Sequence, residues 1–192
     1  MRPKKIVITG GPSTGKTSVI NALEELGHIC FEEVIRAMTR HERETGGGIA
    51  FTSNPIISVD NPMAFNKRIL DARISDFHEG GSLSENWVFF DRGIPDVVAY
   101  MACFGQEYGP TFEEACQTLR YDTIFIMPPW KEIHINDAQR FESFEEGEKV
   151  YTYLMEAYQR YGYSPILVPT GSIGERTTFI LEHLKGLDVA RP

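Results

Sequence analysis

The sequence has 192 residues, of which 42% are hydrophobic, 24% charged and 11% aromatic. This mixture is typical of a folded globular chain and excludes a disordered, collagen-like or coiled-coil protein. With 19 Lys and Arg against 27 Asp and Glu, the formal net charge is −8, which argues against nucleic acid as a partner because phosphate-backbone binding relies on clustered basic residues.

Short β-rich segments alternate with amphipathic segments along the chain. The predicted strands cover residues 5–9, 28–31, 87–90, 121–127 and 165–168. The predicted helices cover residues 16–26, 33–41, 62–78, 95–104, 112–119, 144–161 and 173–185. Strands separated by helices predict an α/β fold in which a parallel sheet is covered by helices on both faces.

The length predicts one domain over residues 1–192. Its irregular part is the segment at about 44–61, which contains three consecutive glycines, and a loop of that length is usually functional or disordered.

The protein is expected in the cytoplasm. Its cysteines are three in number and show no C-x-x-C spacing, which predicts reduced thiols rather than a disulfide framework or a zinc site. No apolar run approaches the ~20 residues of a membrane span, and no signal peptide is recognisable. The sequence therefore predicts no membrane partner, and it leaves the oligomeric state open.

The most specific motif is a phosphate-binding loop that fits G-x-x-x-x-G-K-[ST]. The residues predicted to bind nucleotide are Gly10, Gly11, Pro12, Ser13, Thr14, Gly15, Lys16, Thr17 and Ser18. The glycines let consecutive N–H groups converge on phosphate oxygens, while Lys16 reaches the β- and γ-phosphates and the Thr17 hydroxyl ligates Mg²⁺. The loop follows a predicted strand and precedes a predicted helix, whose N-terminus favours the same phosphates.

A second acidic motif follows the predicted third strand. Asp91 ends four apolar residues and is predicted to hold Mg²⁺ together with Thr17. Arg92 stands where motor-like ATPases carry a catalytic Glu, and its guanidinium suits an anionic or hydroxylated acceptor. The alternative is a structural ion pair, and Asp96, four residues later, is placed either to hold Arg92 or to begin the next helix.

Glu33 follows the predicted second strand. Because ligands bind at the carboxyl ends of parallel strands, Glu33 is predicted to accept a proton from an acceptor hydroxyl or to bind the acceptor. The alternative is an ion pair with Arg36, three residues along the same helix.

A lid is predicted at about residues 131–147. Arg140 is the candidate cation that neutralises phosphate charge in the transition state, with Lys131 as the other candidate. The alternative for Arg140 is a surface pair with a neighbouring acid.

These motifs together resemble a family of small AAA-type ATP-binding proteins related to the ribosylnicotinamide kinase domain of the bacterial NAD-biosynthesis regulator. The residues that carry the resemblance are the phosphate loop, Glu33-x-x-Arg36, Asp91-Arg92-Gly93-x-x-Asp96, Pro128-Pro129-Trp130, Arg140 and Gly174-Glu175-Arg176. Deoxynucleoside and thymidylate kinases are more loosely similar. The resemblance implies a P-loop three-layer sandwich with strand order 2-3-1-4-5, an Arg-bearing lid over ATP, and an acceptor pocket between the ends of the second and third strands.

Three functions are open at this point. The first is an ATP- and Mg²⁺-dependent kinase that phosphorylates a nucleoside-like or other small hydroxyl or phosphate acceptor. The second is a nucleotide sensor with a regulatory partner, and the third is a slow ATPase without a small-molecule acceptor. The sequence identifies neither the acceptor nor a preference for ATP over GTP.

Overall fold

The computed structural model describes residues 2–38, 61–133 and 143–189, which are built around a five-stranded parallel sheet. Its strands are β1 (Lys4–Gly10), β2 (Ile29–Phe31), β3 (Trp87–Asp91), β4 (Thr123–Met127) and β5 (Ile166–Leu167). Their spatial order is β2-β3-β1-β4-β5, and every neighbouring pair is parallel. The predicted strands, the parallel sheet and the strand order are confirmed.

The helices of the described ranges follow the predicted segments with small shifts at their ends. They are α1 (Lys16–Glu25), α2 (Pro62–Ser82), α3 (Ile94–Cys103), α4 (Pro110–Thr118), α5 (Phe144–Arg160) and α6 (Ile173–Val189). Residues 34–38 are helical, and Lys131–Ile133 form one 3₁₀ turn.

The helix α2 continues four residues beyond the predicted end at residue 78. Its glycines favour an end there on propensity alone, but Gly80 is buried where the helix crosses the sheet. A Cβ atom at Gly80 would lie 2.7 Å from Cζ of Phe90. The glycine is therefore inside the helix because it permits this close approach.

The strands send alternate side chains into two separate cores. Val7, Phe90 and Ile126 pack on one face beneath α2, α3, α4 and α5. Ile6, Ile8 and Phe89 pack on the other face beneath α1 and α6. This alternation with a period of two residues produces the predicted three-layer sandwich.

Within the described ranges, no helix has the length and apolar composition needed to cross a membrane. Residues 44–60 of the predicted loop at 44–61 and residues 134–142 of the predicted lid, with Arg140, lie outside the described residues.

Candidate active site

The phosphate loop connects the last residue of β1 to the first residue of α1. Ser13 and Gly15 have φ of 57° and 82°, so the backbone turns through the left-handed region twice. The Thr14 hydroxyl donates to the Gly11 carbonyl oxygen at 3.0 Å and braces the turn. Gly15 is the N-cap of α1 and offers no side-chain oxygen, so the first N–H groups of the helix need another acceptor. A phosphate oxygen is the acceptor that such a helix start binds.

Lys16 is folded back into this loop. Its Nζ donates to the Gly11 carbonyl oxygen at 2.5 Å and to Thr14 Oγ1 at 3.3 Å, and the residue is only 7% exposed. Burial, followed by the charge of Arg92, lowers the pKa of Lys16 despite the opposing charge of Asp91. A buried ammonium group is unfavourable unless anions lie close to it, and a bound triphosphate would supply such anions.

Asp91 lies beside the loop because β3 is paired with β1. Ile8 is the register partner of Asp91. The Oδ1 atom of Asp91 is buried and has no hydrogen-bond partner among the described residues. Burial raises the pKa of Asp91 against the charges of Lys16 and Arg92. A buried carboxylate oxygen without a partner in the described residues, close enough to Lys16 of the loop for their charges to interact, suits Mg²⁺, which binds one or two protein oxygens together with phosphates and water. The residues therefore fit a magnesium ion.

Arg92 is held beneath the phosphate loop. Its φ is 76°, a left-handed value for a residue other than glycine, and such strain occurs often at functional sites. Its Nη1 donates to the Gly10 carbonyl oxygen and to Asp96 Oδ1, both at 3.2 Å, and its guanidinium lies 5.0 Å from the centre of the Tyr100 ring. The expected contact with Asp96 is thus present.

Asp96 is fully buried and collects several donors. The Thr9 hydroxyl donates to its Oδ1 at 2.5 Å, while the Tyr158 hydroxyl and the Gly93 N–H donate to its Oδ2 at 2.6 and 2.9 Å. Because the Gly93 contact lies at the start of α3, Asp96 also caps that helix. Both roles that the sequence offered for Asp96 are therefore present together.

Glu33 contacts Arg73 of α2. Its Oε1 lies 3.8 Å from Arg73 Nη2 and accepts the Ile35 N–H at 3.3 Å. The alternative of a pair with Arg36 is wrong, because the Arg36 guanidinium donates instead to Thr17 Oγ1 at 3.1 Å. Glu33 directly precedes the helical segment 34–38 that contains Arg36, and tertiary contacts with α2 and α1 compete with their local pairing.

Sequence reasoning missed Arg73 and Asn66, which lie two turns apart on α2. Arg73 is 5% exposed and donates to the Gly93 carbonyl oxygen, but its Nε has no partner in the described chain. Asn66 is fully buried, and its Nδ2 donates to Gln106 Oε1 at 2.7 Å while its Oδ1 is likewise without a partner there. Their seven-residue spacing was the available signal, since it puts two polar side chains on the face of a helix that was predicted to cover a sheet.

Arg176 supports the phosphate loop from α6. Its Nη1 donates to the Thr14 carbonyl oxygen at 2.9 Å, and its guanidinium lies 5.5 Å from the centre of the Trp130 ring. A Cβ atom at Gly15 would lie 2.6 Å from Arg176 Nη1. The resemblance included both Trp130 and Arg176, and the structure brings them together behind the loop.

The first turn of α5 presses on the other side of the loop. A Cβ atom at Gly11 would lie 2.7 Å from the Gly147 carbonyl oxygen, whereas a Cβ atom at Gly147 would be no closer than 3.8 Å to Pro12. We therefore expect Gly11→Ala to displace α5 from the loop and to weaken ATP binding, by about tenfold or about 1.4 kcal/mol. Calorimetric titration measures this change.

Gly147→Ala is the matched control, because it adds the same methyl group from the opposite side of the contact without a clash. It should bind ATP like the wild type and unfold at a slightly higher temperature, since Ala is favoured over Gly inside a helix by about 0.5–1 kcal/mol. Equal affinities for the two variants would contradict the contact between α5 and the loop.

The candidate site residues that lie in the described ranges thus come together at the edge of the sheet where the carboxyl ends of the strands lie. Lys16 and Thr17 come from the phosphate loop and α1, Asp91 and Arg92 from the end of β3, and Glu33 from the end of β2. Lys131, the other lid candidate, lies exposed in the 3₁₀ turn after β4. The phosphate loop, with Ser13 and Gly15 in the left-handed region, follows β1 in a sheet whose strands are ordered β2-β3-β1-β4-β5. These features define the chain as a P-loop nucleotide-binding protein.

Within that class the chain belongs to the AAA domain family, whose model matches residues 5–176. This match confirms the resemblance seen in the sequence. No protein of curated function matches the sequence significantly.

Solved structures, two of them of kinases, share the fold at low sequence identity. A NadR protein in complex with NR has a TM-score of 0.70 and 19% identity over 95% of this chain and 50% of its own. Thymidylate kinase from Candida albicans has a TM-score of 0.67 and 16% identity, covering 97% of this chain and 93% of its own. Deoxyadenosine kinase from M. mycoides, with dCMP and dCDP bound, has a TM-score of 0.65 and 14% identity, covering 95% and 99%. This chain thus spans about half of the NadR chain and nearly the whole of the other two.

Proposed function

We propose that this protein is a small-molecule kinase that transfers the γ-phosphoryl group of ATP to a hydroxyl or phosphate group of a nucleoside-like acceptor. The observation that carries the proposal is the Glu33–Arg73 pair at the end of β2, with its contact of 3.8 Å, beside the buried Arg73 Nε that has no partner in the described residues. An ATPase that uses only water or a pure nucleotide sensor has no need of this second polar site. Buried donors without partners call for an explanation, and a polar acceptor molecule supplies one.

The two halves of the site have separate tasks in this proposal. The loop N–H groups and Lys16 bind the β- and γ-phosphates, and Thr17 and Asp91 hold Mg²⁺, which supplies charge neutralisation to the phosphates when bound. Arg140, or Lys131 in its place, would cover the phosphates from the lid.

The acceptor would lie between Glu33, Arg92 and the polar face of α2. Its oxygen attacks the γ-phosphorus, its proton passes to the Glu33 carboxylate, and the bond from the γ-phosphorus to the bridging oxygen breaks to release ADP. Catalysis of this kind depends on positioning and charge stabilisation more than on covalent chemistry by the protein.

The acceptor class favoured here is a nucleoside or a related riboside. Asn66 Oδ1 is a hydrogen-bond acceptor and Arg73 Nε is a donor, and both are buried on the same face of α2. Seven helical residues separate them by roughly 10 Å along the axis. A ligand with a polar ring at one end and hydroxyl groups at the other matches such a spacing better than a single small anion does.

The test is ADP release from ATP·Mg²⁺ with a panel of nucleosides, vitamin ribosides and nucleoside monophosphates. Release that depends on one acceptor class supports the kinase and identifies its substrate. Release that is independent of every acceptor would indicate an ATPase, and tight ATP binding without turnover would indicate a sensor.

The nucleotide half of the proposal is tested separately by Lys16→Ala. The variant removes a charge-assisted contact to the phosphates, and such contacts contribute about 1.5–3 kcal/mol, or roughly 10- to 150-fold in affinity. Calorimetric titration with ATP·Mg²⁺ measures the loss, and circular dichroism checks that the fold is retained. Lys67→Ala, at an exposed position of α2, is the control. Unchanged affinity in Lys16→Ala would refute the assignment of the phosphate loop.

A further inference from the structure

The side chain of Arg36 contacts the hydroxyl oxygen of Thr17, which is predicted to ligate Mg²⁺ in the nucleotide site. Its Nη2 donates to Thr17 Oγ1 at 3.1 Å. Thr17 lies in the first turn of α1, directly after Lys16. Arg36 belongs to the helical segment 34–38 that follows Glu33, and it is an exposed residue, so its side chain has room to leave.

The charge of Arg36 also acts on Asp91, the other predicted ligand of the metal ion. Burial raises the pKa of Asp91, and Arg36 is among the cations, after Lys16 and Arg92, whose charges oppose that rise. The guanidinium therefore lies within electrostatic range of both Thr17 and Asp91. Glu33, which directly precedes this segment, contacts Arg73 at 3.8 Å instead of Arg36, and the Arg36 guanidinium is directed towards Thr17 of α1.

We propose that Arg36 is a resident cation at the metal side of the nucleotide site, which Mg²⁺ must displace when it binds with the nucleotide. The inference rests on the proposed function, because it requires an ATP·Mg²⁺ site at the phosphate loop. A threonine hydroxyl has two acceptor lone pairs, but a guanidinium and a divalent ion on the same small oxygen repel each other. The two cations therefore compete for Thr17 and for the field of Asp91.

This competition makes the affinity for metal-bound nucleotide lower than the site would otherwise allow. In the nucleotide-free protein, Arg36 partly balances the buried Asp91 carboxylate. When ATP·Mg²⁺ binds, the metal ion would balance the negative charge of Asp91 in place of Arg36. The Arg36 guanidinium then moves out to solvent or to the phosphates. Metal-free ATP brings no competing cation, so its binding does not require Arg36 to leave Thr17.

The experiment compares the gain in ATP affinity that Mg²⁺ produces in the wild type and in Arg36→Gln. Dissociation constants are measured by calorimetry for ATP with EDTA and for ATP with saturating Mg²⁺. The gain is expected to be roughly two- to fivefold larger in Arg36→Gln than in the wild type, a range typical of one partly screened charge contact. Arg36→Lys retains a positive charge and should lie between the two.

Lys185→Gln is the control for net charge, because it removes the same charge from an exposed position on α6. Its Mg²⁺ gain should equal that of the wild type. Binding of Mn²⁺ in the presence of ADP, followed by the paramagnetic resonance of the free ion, provides a second readout that needs no turnover. Arg36→Gln should bind Mn²⁺ more tightly by the same factor.

An equal or smaller Mg²⁺ gain in Arg36→Gln would overturn the inference about Arg36. If the wild type bound ATP neither with nor without Mg²⁺, the proposed function itself would fail, so the two failures are distinguishable. Thermal unfolding of each variant shows whether it is folded. If Arg36→Gln is not folded, the Mg²⁺ gain of Arg36→Lys is compared with that of the wild type instead.

Discussion

Replacing Glu33 with glutamine is expected to lower kcat by about 10²–10⁴-fold and to leave the Kd for ATP nearly unchanged. A positioned general base contributes a factor of that size, which corresponds to roughly 3–5 kcal/mol of transition-state stabilisation. Glutamine keeps the shape of Glu33 and an oxygen for the Ile35 N–H, which Glu33 accepts at 3.3 Å. It cannot take up a proton, so the substitution removes the chemistry and retains the local hydrogen bond.

The measurement is kcat with the acceptor that the panel identifies, together with the Kd for ATP·Mg²⁺ from calorimetry. Glu32→Gln is the matched control, since it neutralises the adjacent exposed carboxylate. We expect its turnover to be close to that of the wild type. Turnover close to the wild-type rate in Glu33→Gln would remove Glu33 from the reaction, and an equal loss of ATP binding would make its role structural.

The position of the Glu33 carboxylate depends on Arg73 of α2. Arg73 Nη2 lies 3.8 Å from Glu33 Oε1 and so restricts where this carboxylate can lie. The Nη1 atom of the same guanidinium donates to the Gly93 carbonyl oxygen at the start of α3. Arg73 is thus a positioning residue that joins the ends of β2 and β3 across α2.

The fold was predictable from the sequence because its signals are local. The apolar runs of β1 and β3 appear directly in the sequence, and the phosphate motif fixes the turn between β1 and α1. The strand order was implied by the resemblance rather than by any pattern in the strands, and the sheet confirms it.

The acceptor side was less predictable because its contacts join residues far apart in the chain. Glu33 and Arg36 are three residues apart and were a natural local pair, yet Glu33 contacts Arg73 and Arg36 contacts Thr17. Asn66 and Arg73 lie in the middle of a helix where no motif distinguishes them from other polar residues. Only the packing of α2 on the sheet shows that both are buried.

The sequence offered Asp96 only two roles, as a partner of Arg92 or as a residue at the start of a helix, because four of its other partners come from other elements or from the backbone. Thr9 lies next to the phosphate loop, Tyr158 lies near the end of α5, and Arg73 Nη1 lies 3.9 Å from Asp96 Oδ2. Burial opposes the ionisation of Asp96, but the guanidinium groups of Arg73 and Arg92 and the hydroxyls of Thr9 and Tyr158 outweigh it. Its pKa therefore lies below the ordinary value.

Asp96→Asn is accordingly expected to lower the free energy of unfolding by about 3–5 kcal/mol, the usual effect of removing one partner from a buried ion pair. The asparagine has nearly the same volume, but its amide nitrogen would face donors where the carboxylate now accepts from Thr9, Gly93 and Tyr158. Urea unfolding at neutral pH measures the change. The control is Asp122→Asn, which loses a pair with the exposed Arg2 and should cost only about 1 kcal/mol or less.

The stabilising effect of Asp96 is also expected to depend on pH. Because the folded-state pKa of Asp96 is depressed, its contribution to the free energy of unfolding is present above the unfolded-state pKa of about 4. This contribution is lost as the pH falls through the lower folded-state value. The difference in stability between wild type and Asp96→Asn should therefore shrink in acid, and a difference that stays constant down to the acid transition would show that Asp96 acts through its shape rather than its charge.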